Sequence, residues 1–263
     1  MLFRVGCALD YVVPEPSVFI FNVAVTRCAA HILEREQLRL TPALPAQELL
    51  MPMTGTRYTR LAVPPGQLSL RYEAQVECPP RRPLPRTTTK GTVDQVPLEA
   101  VPYLFPSRYC QADQLTELAC DVAGTAPPGE AQVAAVCDWV YRNLLYLPGS
   151  SDSGTSALDT ERDRSGVCRD FAHLAIALCR ALGVPARFVT GYAWGLVLPD
   201  FHACMEAYYA GRWHLCDPSR KVATDRMIRI GTGRDAAETS FASIFGDGRP
   251  SQLTNMAVFA EPA

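Results

Sequence analysis

The segment "RSGVCRDFAHLAIALCRALGVPAR", residues 164–187, decides how this chain is interpreted. Apolar residues recur on one face at helical spacing, and Gly183 followed by Pro185 is a typical helix end. Cys168 lies in the first turn of this predicted helix. The unpaired N–H groups of a helix N-terminus stabilise a thiolate, which is the nucleophilic form of cysteine. Cys168 is therefore a candidate nucleophile, whereas Cys179, well inside the same helix, is expected in the core.

Composition limits the classes of function. The chain has 263 residues, 48% hydrophobic and 20% charged, which predicts one large domain or two smaller ones. A formal net charge of −2 argues against nucleic-acid binding by charge alone. The N-terminal stretch lacks a signal-peptide pattern and no apolar run could span a bilayer, so we expect a cytoplasmic protein without membrane contact. The ten cysteines show no CxxC spacing, so most are expected to be free and inert.

The patterning divides the chain into three parts. Residues 1–78 contain apolar and alternating stretches such as "SVFIFNVAV" and "LSLRYEAQVEC", which predict a small antiparallel β-sandwich. Residues 79–105 are rich in Pro and Arg and are predicted to be a linker. Residues 106–263 combine helical periodicity with later strands, which predicts an α+β catalytic domain.

A nucleophilic cysteine needs a base, and the chain offers four histidines. His31 belongs to the β region, and His173 follows Cys168 by five residues and so points to another side of the helix. His202 and His214 remain, each in a predicted strand.

A hairpin register separates these two histidines. If "HACMEAYYA" and "RWHLCDPS" turn at residues 210–211, Cys204 faces Asp217 across the pair. His202 then shares a sheet face with Asp217 and lies diagonally within side-chain reach, while His214 falls on the opposite face. A loop that differed by one residue would remove this pairing. The count therefore supports a triad of Cys168, His202 and Asp217.

The same residues resemble the transglutaminase-like superfamily of papain-like cysteine enzymes. The segments "GVCRDFAHLAIALCRALGVPARFVTGY" and "HACMEAYYAGRWHLCDP" carry the likeness, and "YLFPSRYC" and "RIGTGRDAAETSFASIFG" are similar to the bacterial branch with an N-terminal β domain. The resemblance implies a papain-like α+β core, the roles of nucleophile, base and orienting acid for Cys168, His202 and Asp217, and no cofactor. The family usually has Trp two residues after the catalytic His, where this chain has Cys204.

The expected reaction is acyl transfer from a peptide or protein amide through a thioester. The residues do not choose between hydrolysis and transamidation, nor do they fix the oligomeric state. Two other readings stay open: a non-catalytic binding scaffold of the same fold, and a metal site that uses the Cys/His cluster. The chain lacks the paired short spacing of structural zinc sites and the loop of an EF-hand. Asp170 is expected to favour the helix N-terminus, and Asp217 could also serve a turn before Pro218.

Overall fold

The structure is a computed structural model that describes residues 1–79 and 93–263. The first six strands are β1 (Leu2–Val13), β2 (Ser17–Phe21), β3 (Ile32–Thr41), β4 (Ala46–Leu50), β5 (Arg57–Val63) and β6 (Gly66–Glu77). The middle of the chain forms α1 (Thr116–Ala123), α2 (Glu130–Asn143), β7 (Leu145–Tyr146), α3 (Ala157–Asp163), β8 (Ser165–Gly166) and α4 (Cys168–Ala181). The remaining elements are β9 (Ala186–Ala193), β10 (His202–Tyr209), β11 (Arg212–Cys216), β12 (Met227–Gly233), α5 (Ala236–Thr239), β13 (Ala242–Phe245) and β14 (Gln252–Pro262).

The N-terminal half is a sandwich of two antiparallel sheets, with strand orders β14-β1-β6-β3 and β13-β2-β5-β4. The central strands β1 and β6 alternate buried and less buried residues, as expected for strands with one face on a core. The buried faces carry large apolar side chains, among them Leu9, Tyr11, Leu70 and Tyr72. The predicted β-sandwich is therefore present.

The half that carries the predicted catalytic residues, called the catalytic half for that reason, contains a third antiparallel sheet, the catalytic sheet, with order β11-β10-β9-β12. Helix α4 packs on this sheet and is buried from Asp170 to Arg180, because its apolar residues contact β9 and β10 on one side and α2 and α3 on the other. A helix placed so centrally holds its first residue firmly. The fold is the α+β arrangement expected from the sequence.

The last two strands do not belong to the half predicted for them. The sequence pattern assigned residues 106–263 to the catalytic domain, but β13 pairs with β2 and β14 pairs with β1. Strand β14 is an edge strand on which only Val258 is buried, so its sequence shows little of the alternation that would assign it to the sandwich. The sandwich is thus built from both ends of the described chain.

The predicted linker, residues 79–105, lies partly outside the described residues. Of the part that is described, residues 98–104 form a short 3₁₀ helix with Ala100 and Tyr103 buried. The Tyr103 ring meets Trp213 of β11 edge-on, with a centroid distance of 5.2 Å. This end of the predicted linker therefore packs against the catalytic sheet.

The two halves share a hydrophobic core. Tyr192 of β9, and Ile228 and Ile230 of β12, pack in the same apolar cluster as the sandwich strands. The Tyr192 hydroxyl donates a hydrogen bond to the Val23 carbonyl oxygen at 2.8 Å. The faces of the two halves are therefore fixed against each other. In the part of the chain that the structure describes, no helix combines the length and apolar character needed to cross a bilayer.

Candidate active site

Cys168 is the first residue of α4, as the sequence predicts. The turn before it is held by Asp170, which is fully buried and accepts a hydrogen bond from the Val167 N–H at 2.8 Å. A Cβ on Gly166 would lie 2.6 Å from the Asp170 Cβ, so this close approach requires glycine. Asp170 therefore stabilises the helix start, as expected, and leaves Cys168 partly exposed at the N-terminal end of the helix.

The hairpin register predicted from the sequence is confirmed. Tyr209 pairs with Arg212, Tyr208 with Trp213, and the pairing continues in step to Met205 and Cys216. One further step sets Asp217 beside the position of Cys204. His214 lies on the other face, where its Nε2 contacts the Tyr209 carbonyl oxygen at 3.0 Å.

His202 and Asp217 meet directly. The His202 Nε2 lies 2.9 Å from the Asp217 Oδ2, and both side chains are almost fully buried. Asp217 is itself oriented, because it accepts hydrogen bonds from the Ser219 N–H at 2.9 Å and the Val222 N–H at 3.0 Å. These bonds hold the carboxylate where it fixes the Nε2–H tautomer of His202 and leaves Nδ1 available on the other side of the ring.

The other ring nitrogen is directed to the thiol. The His202 Nδ1 makes no hydrogen bond among the described residues, yet Cys168 is close enough to affect the protonation of the ring. Such a looser contact between nucleophile and base is common in a ligand-free site. The structure thus brings together the three side chains that the sequence analysis selected.

The electrostatics of the pair favour a charged imidazole. Burial acts to lower the pKa of His202, but the hydrogen bond to Asp217 and the neighbouring Cys168 outweigh it and raise the pKa to about 10. Burial acts to raise the pKa of Asp217, but the hydrogen bond to His202 outweighs it and keeps the pKa below its usual value. The site therefore stabilises an imidazolium between a carboxylate and a thiol.

A pH dependence of stability follows from the raised pKa of His202. Its contribution is fully present below the ordinary value of 6.5 and is lost as the pH rises through about 10. We expect the difference in unfolding free energy between the wild type and Asp217→Asn to be largest at mildly acidic pH, below about 6.5, and to shrink as the pH rises towards about 10. Urea denaturation of both proteins at several pH values measures this difference. A difference that stays constant from neutral pH to about pH 10 would contradict it.

Tyr146 is a site residue that the sequence analysis did not select. Its half-buried hydroxyl interacts with both the backbone N–H and the thiol of Cys168. Burial and the neighbouring Cys168 raise the pKa of Tyr146, so the phenol stays protonated and able to donate a hydrogen bond. The Lys221 Nζ lies 4.2 Å from the centre of the Tyr146 ring and helps to hold it. Tyr146 lies in β7, between α2 and a Gly/Ser loop, and nothing in this sequence context indicated a role in the chemistry.

Cys204 takes no part in the cleft. It is buried with Val189 and Met227 in a small apolar cluster, and burial raises the pKa of its thiol. Cys204 and Cys168 are both free thiols. Within residues 1–79 and 93–263 no three His, Cys, Asp or Glu side chains are placed to hold a metal ion together.

Other buried polar residues near the site form contacts that stabilise the fold. Glu206 is buried and bonds Arg187 at 2.7 Å and Arg229, so it does not compete with Asp217 for His202. His173 is fully buried, and burial lowers its pKa to about 3. Its Nε2 accepts a hydrogen bond from the Ala236 N–H at 3.2 Å. These residues hold the sheet, α4 and α5 together around the site.

The site opens into a cleft of about 720 Å³ between the two halves of the molecule. Cys168 and His202 line it from the catalytic half, while Phe245 of β13 and Met256 of β14 line it from the sandwich sheets. A cleft of this volume accommodates a ligand of a few residues.

Comparison with known proteins agrees with this geometry. Residues 116–218 match the model of the transglutaminase-like superfamily, and residues 1–97 match the bacterial transglutaminase N-terminal domain. The crystal structure described as a "Putative Cysteine Protease" from Cytophaga hutchinsonii is 41% identical and superposes with a TM-score of 0.92 over 99% of this chain and 90% of its own. The chain belongs to the transglutaminase-like superfamily.

Curated relatives of this transglutaminase-like protein come from mycobacteria. The uncharacterized protein ML0607 of Mycobacterium leprae is 34% identical over 128 residues, which are 45% of each chain. The uncharacterized protein Rv2569c of Mycobacterium tuberculosis is 35% identical over 114 residues, which are 38% of this chain and 36% of the relative. The matches thus span less than half of these relatives.

Proposed function

We propose that this transglutaminase-like protein is a cytoplasmic cysteine enzyme that cleaves or transfers the acyl group of a peptide or protein amide through a thioester. The observation that carries the proposal is the contact of His202 with Asp217 at 2.9 Å, with the other ring nitrogen directed to a thiol at a helix N-terminus. This arrangement matches nucleophile, base and orienting acid.

The acylation step uses each side chain in turn. The Cys168 thiolate attacks the amide carbonyl carbon, and the carbonyl oxygen becomes an oxyanion. The Tyr146 hydroxyl, which lies next to the Cys168 thiol and N–H, is the proposed hydrogen-bond donor to that oxyanion. The imidazolium of His202 gives its Nδ1 proton to the leaving amine, the C–N bond breaks, and a thioester to Cys168 remains.

Deacylation reverses these roles. Water or an amine attacks the thioester carbonyl, and His202 takes the proton of the attacking group. The C–S bond then breaks and restores the thiolate–imidazolium pair. Water as acceptor gives a peptidase or amidase, and an amine as acceptor gives a transglutaminase. Asp217 stabilises the imidazolium and does not itself accept a proton.

Thiol labelling tests the proposal without a known substrate. Under limiting iodoacetamide at mildly acidic pH, Cys168 is expected to react first of the ten cysteines, because it is partly exposed in the cleft, lies at a helix N-terminus and has His202 beside it. Cys28 is the internal competitor: burial opposes its ionisation, but His31 outweighs burial and lowers the pKa of Cys28 to about 6. Peptide mass spectrometry gives the order of labelling.

Two matched variants distinguish the reactivity of Cys168 from that of Cys28. His202→Ala should slow the labelling of Cys168 and leave Cys28 unchanged, while His31→Ala should do the reverse. A binding scaffold without a working nucleophile would show no effect of His202→Ala on Cys168, and that result would overturn the proposal.

A further inference from the structure

The cleft walls differ in chemical character. Phe201 and Phe241 stack with ring centroids 5.1 Å apart beside His202, and both line the cleft. Phe245 and Met256 continue this surface and stay 58% and 38% exposed. Large apolar side chains at the mouth of a reactive cleft lose their contact with water when a ligand covers them. We call these four residues the apolar wall.

The apolar wall comes almost entirely from outside the catalytic core. Phe241 and Phe245 belong to the segment that pairs with β2, and Met256 belongs to β14, which pairs with β1. The sandwich therefore supplies a surface for the ligand in addition to packing against the catalytic sheet.

The charged residues that line the same cleft are few. Arg169 is paired with Asp170 at 3.3 Å, and Asp200 lies close to His202. The Arg108 guanidinium lies 5.0 Å from the centre of the Tyr109 ring, and among the described residues no carboxylate forms an ion pair with it. Within the described lining, Arg108 is thus a cation without a carboxylate partner, next to an apolar surface.

Resting on the proposed function, we infer that the substrate is a peptide segment that presents an apolar side chain to the apolar wall and a carboxylate to Arg108. The volume of about 720 Å³ fits two or three residues around the reacting amide. Apolar burial and a charge-assisted hydrogen bond would then set the selectivity.

Binding to Cys168→Ala tests this without any turnover. The probes are acetyl-Leu-Ala-Asp-amide, acetyl-Asp-Ala-Leu-amide and acetyl-Ser-Ala-Ser-amide, measured by calorimetry or NMR titration. One of the two amphiphilic peptides should bind about tenfold more tightly than the serine peptide. The two orders are included because the direction of the chain in the cleft is not assumed.

Matched variants assign the selectivity to the named residues. Phe245→Ala should remove the preference for leucine, whereas Ile244→Ala, its exposed neighbour on β13 outside the cleft lining, should keep it. Arg108→Gln should remove the preference for aspartate and its salt dependence, whereas Arg249→Gln, an exposed arginine outside the lining, should not.

Equal binding of all three peptides, or equal effects of Phe245→Ala and Ile244→Ala, would overturn the inference. Thermal melting of each variant shows whether it is folded. Since these measurements use a protein without its nucleophile, their failure is distinct from failure of the proposed reaction, which the labelling of Cys168 tests.

Discussion

Replacing Cys168 by alanine is expected to abolish turnover and leave the protein folded. The side chain is partly exposed at the start of α4, so its removal costs little packing, while the nearby Cys204 thiol is buried outside the cleft lining. The rate of amine release from a panel of peptide amides should fall by about 10⁴-fold or more.

Cys179→Ala is the matched control for this variant. Cys179 lies on the same helix but is fully buried, and burial raises the pKa of its thiol. That variant should lose some stability and keep its turnover. If Cys168→Ala keeps measurable turnover while Cys179→Ala loses it, the assignment of the nucleophile is wrong.

The second large effect is expected for Asp217→Asn. Asparagine is nearly isosteric with aspartate, but its amide can donate an N–H to the His202 Nε2. The neutral ring then carries its proton on Nδ1, and Nδ1 can no longer accept a proton from Cys168. We expect kcat to fall by about 10²- to 10⁴-fold with the fold intact.

Asp200→Asn controls for the loss of a negative charge near His202. Asp200 lines the cleft and interacts with His202 only electrostatically, whereas Asp217 is hydrogen-bonded to the ring. Its replacement should change kcat by less than about tenfold. Similar losses in the two variants would mean that Asp217 acts through charge alone and does not set the tautomer.

The core of the site could be predicted because it depends on local rules. The position of Cys168 follows from helix-start and helix-end signals within one short segment. His202 and Asp217 share a sheet face because the turn between their strands has two residues, and successive side chains of a strand point to opposite faces. Both inferences need only the residues between the contacts, and both are found in the structure.

Contacts between segments that are far apart in the sequence could not be predicted from these local rules. Residues 242–245 and 252–262 form strands, but the pattern of a strand does not identify the strand with which it pairs, and a mostly exposed edge strand shows little alternation. Tyr146 lies near Cys168 because β7 pairs with β8, which sets Tyr146 opposite Gly166, two residues before Cys168. The pairing of Cys28 with His31 depends on a loop whose shape the spacing does not determine.

The return of β14 to β1 also bears on synthesis of the chain. The Asn255 side chain donates to the Asp10 carboxylate across 245 residues, and Phe3 pairs with Pro262. On the ribosome, the outer edge of β1 stays without its neighbour until residues 252–262 emerge, and an open edge favours association with other chains. Strands β13 and β14 bring Phe245 and Met256 to the cleft. A nascent chain therefore carries the Cys168 thiol before it has the residues that complete the cleft wall.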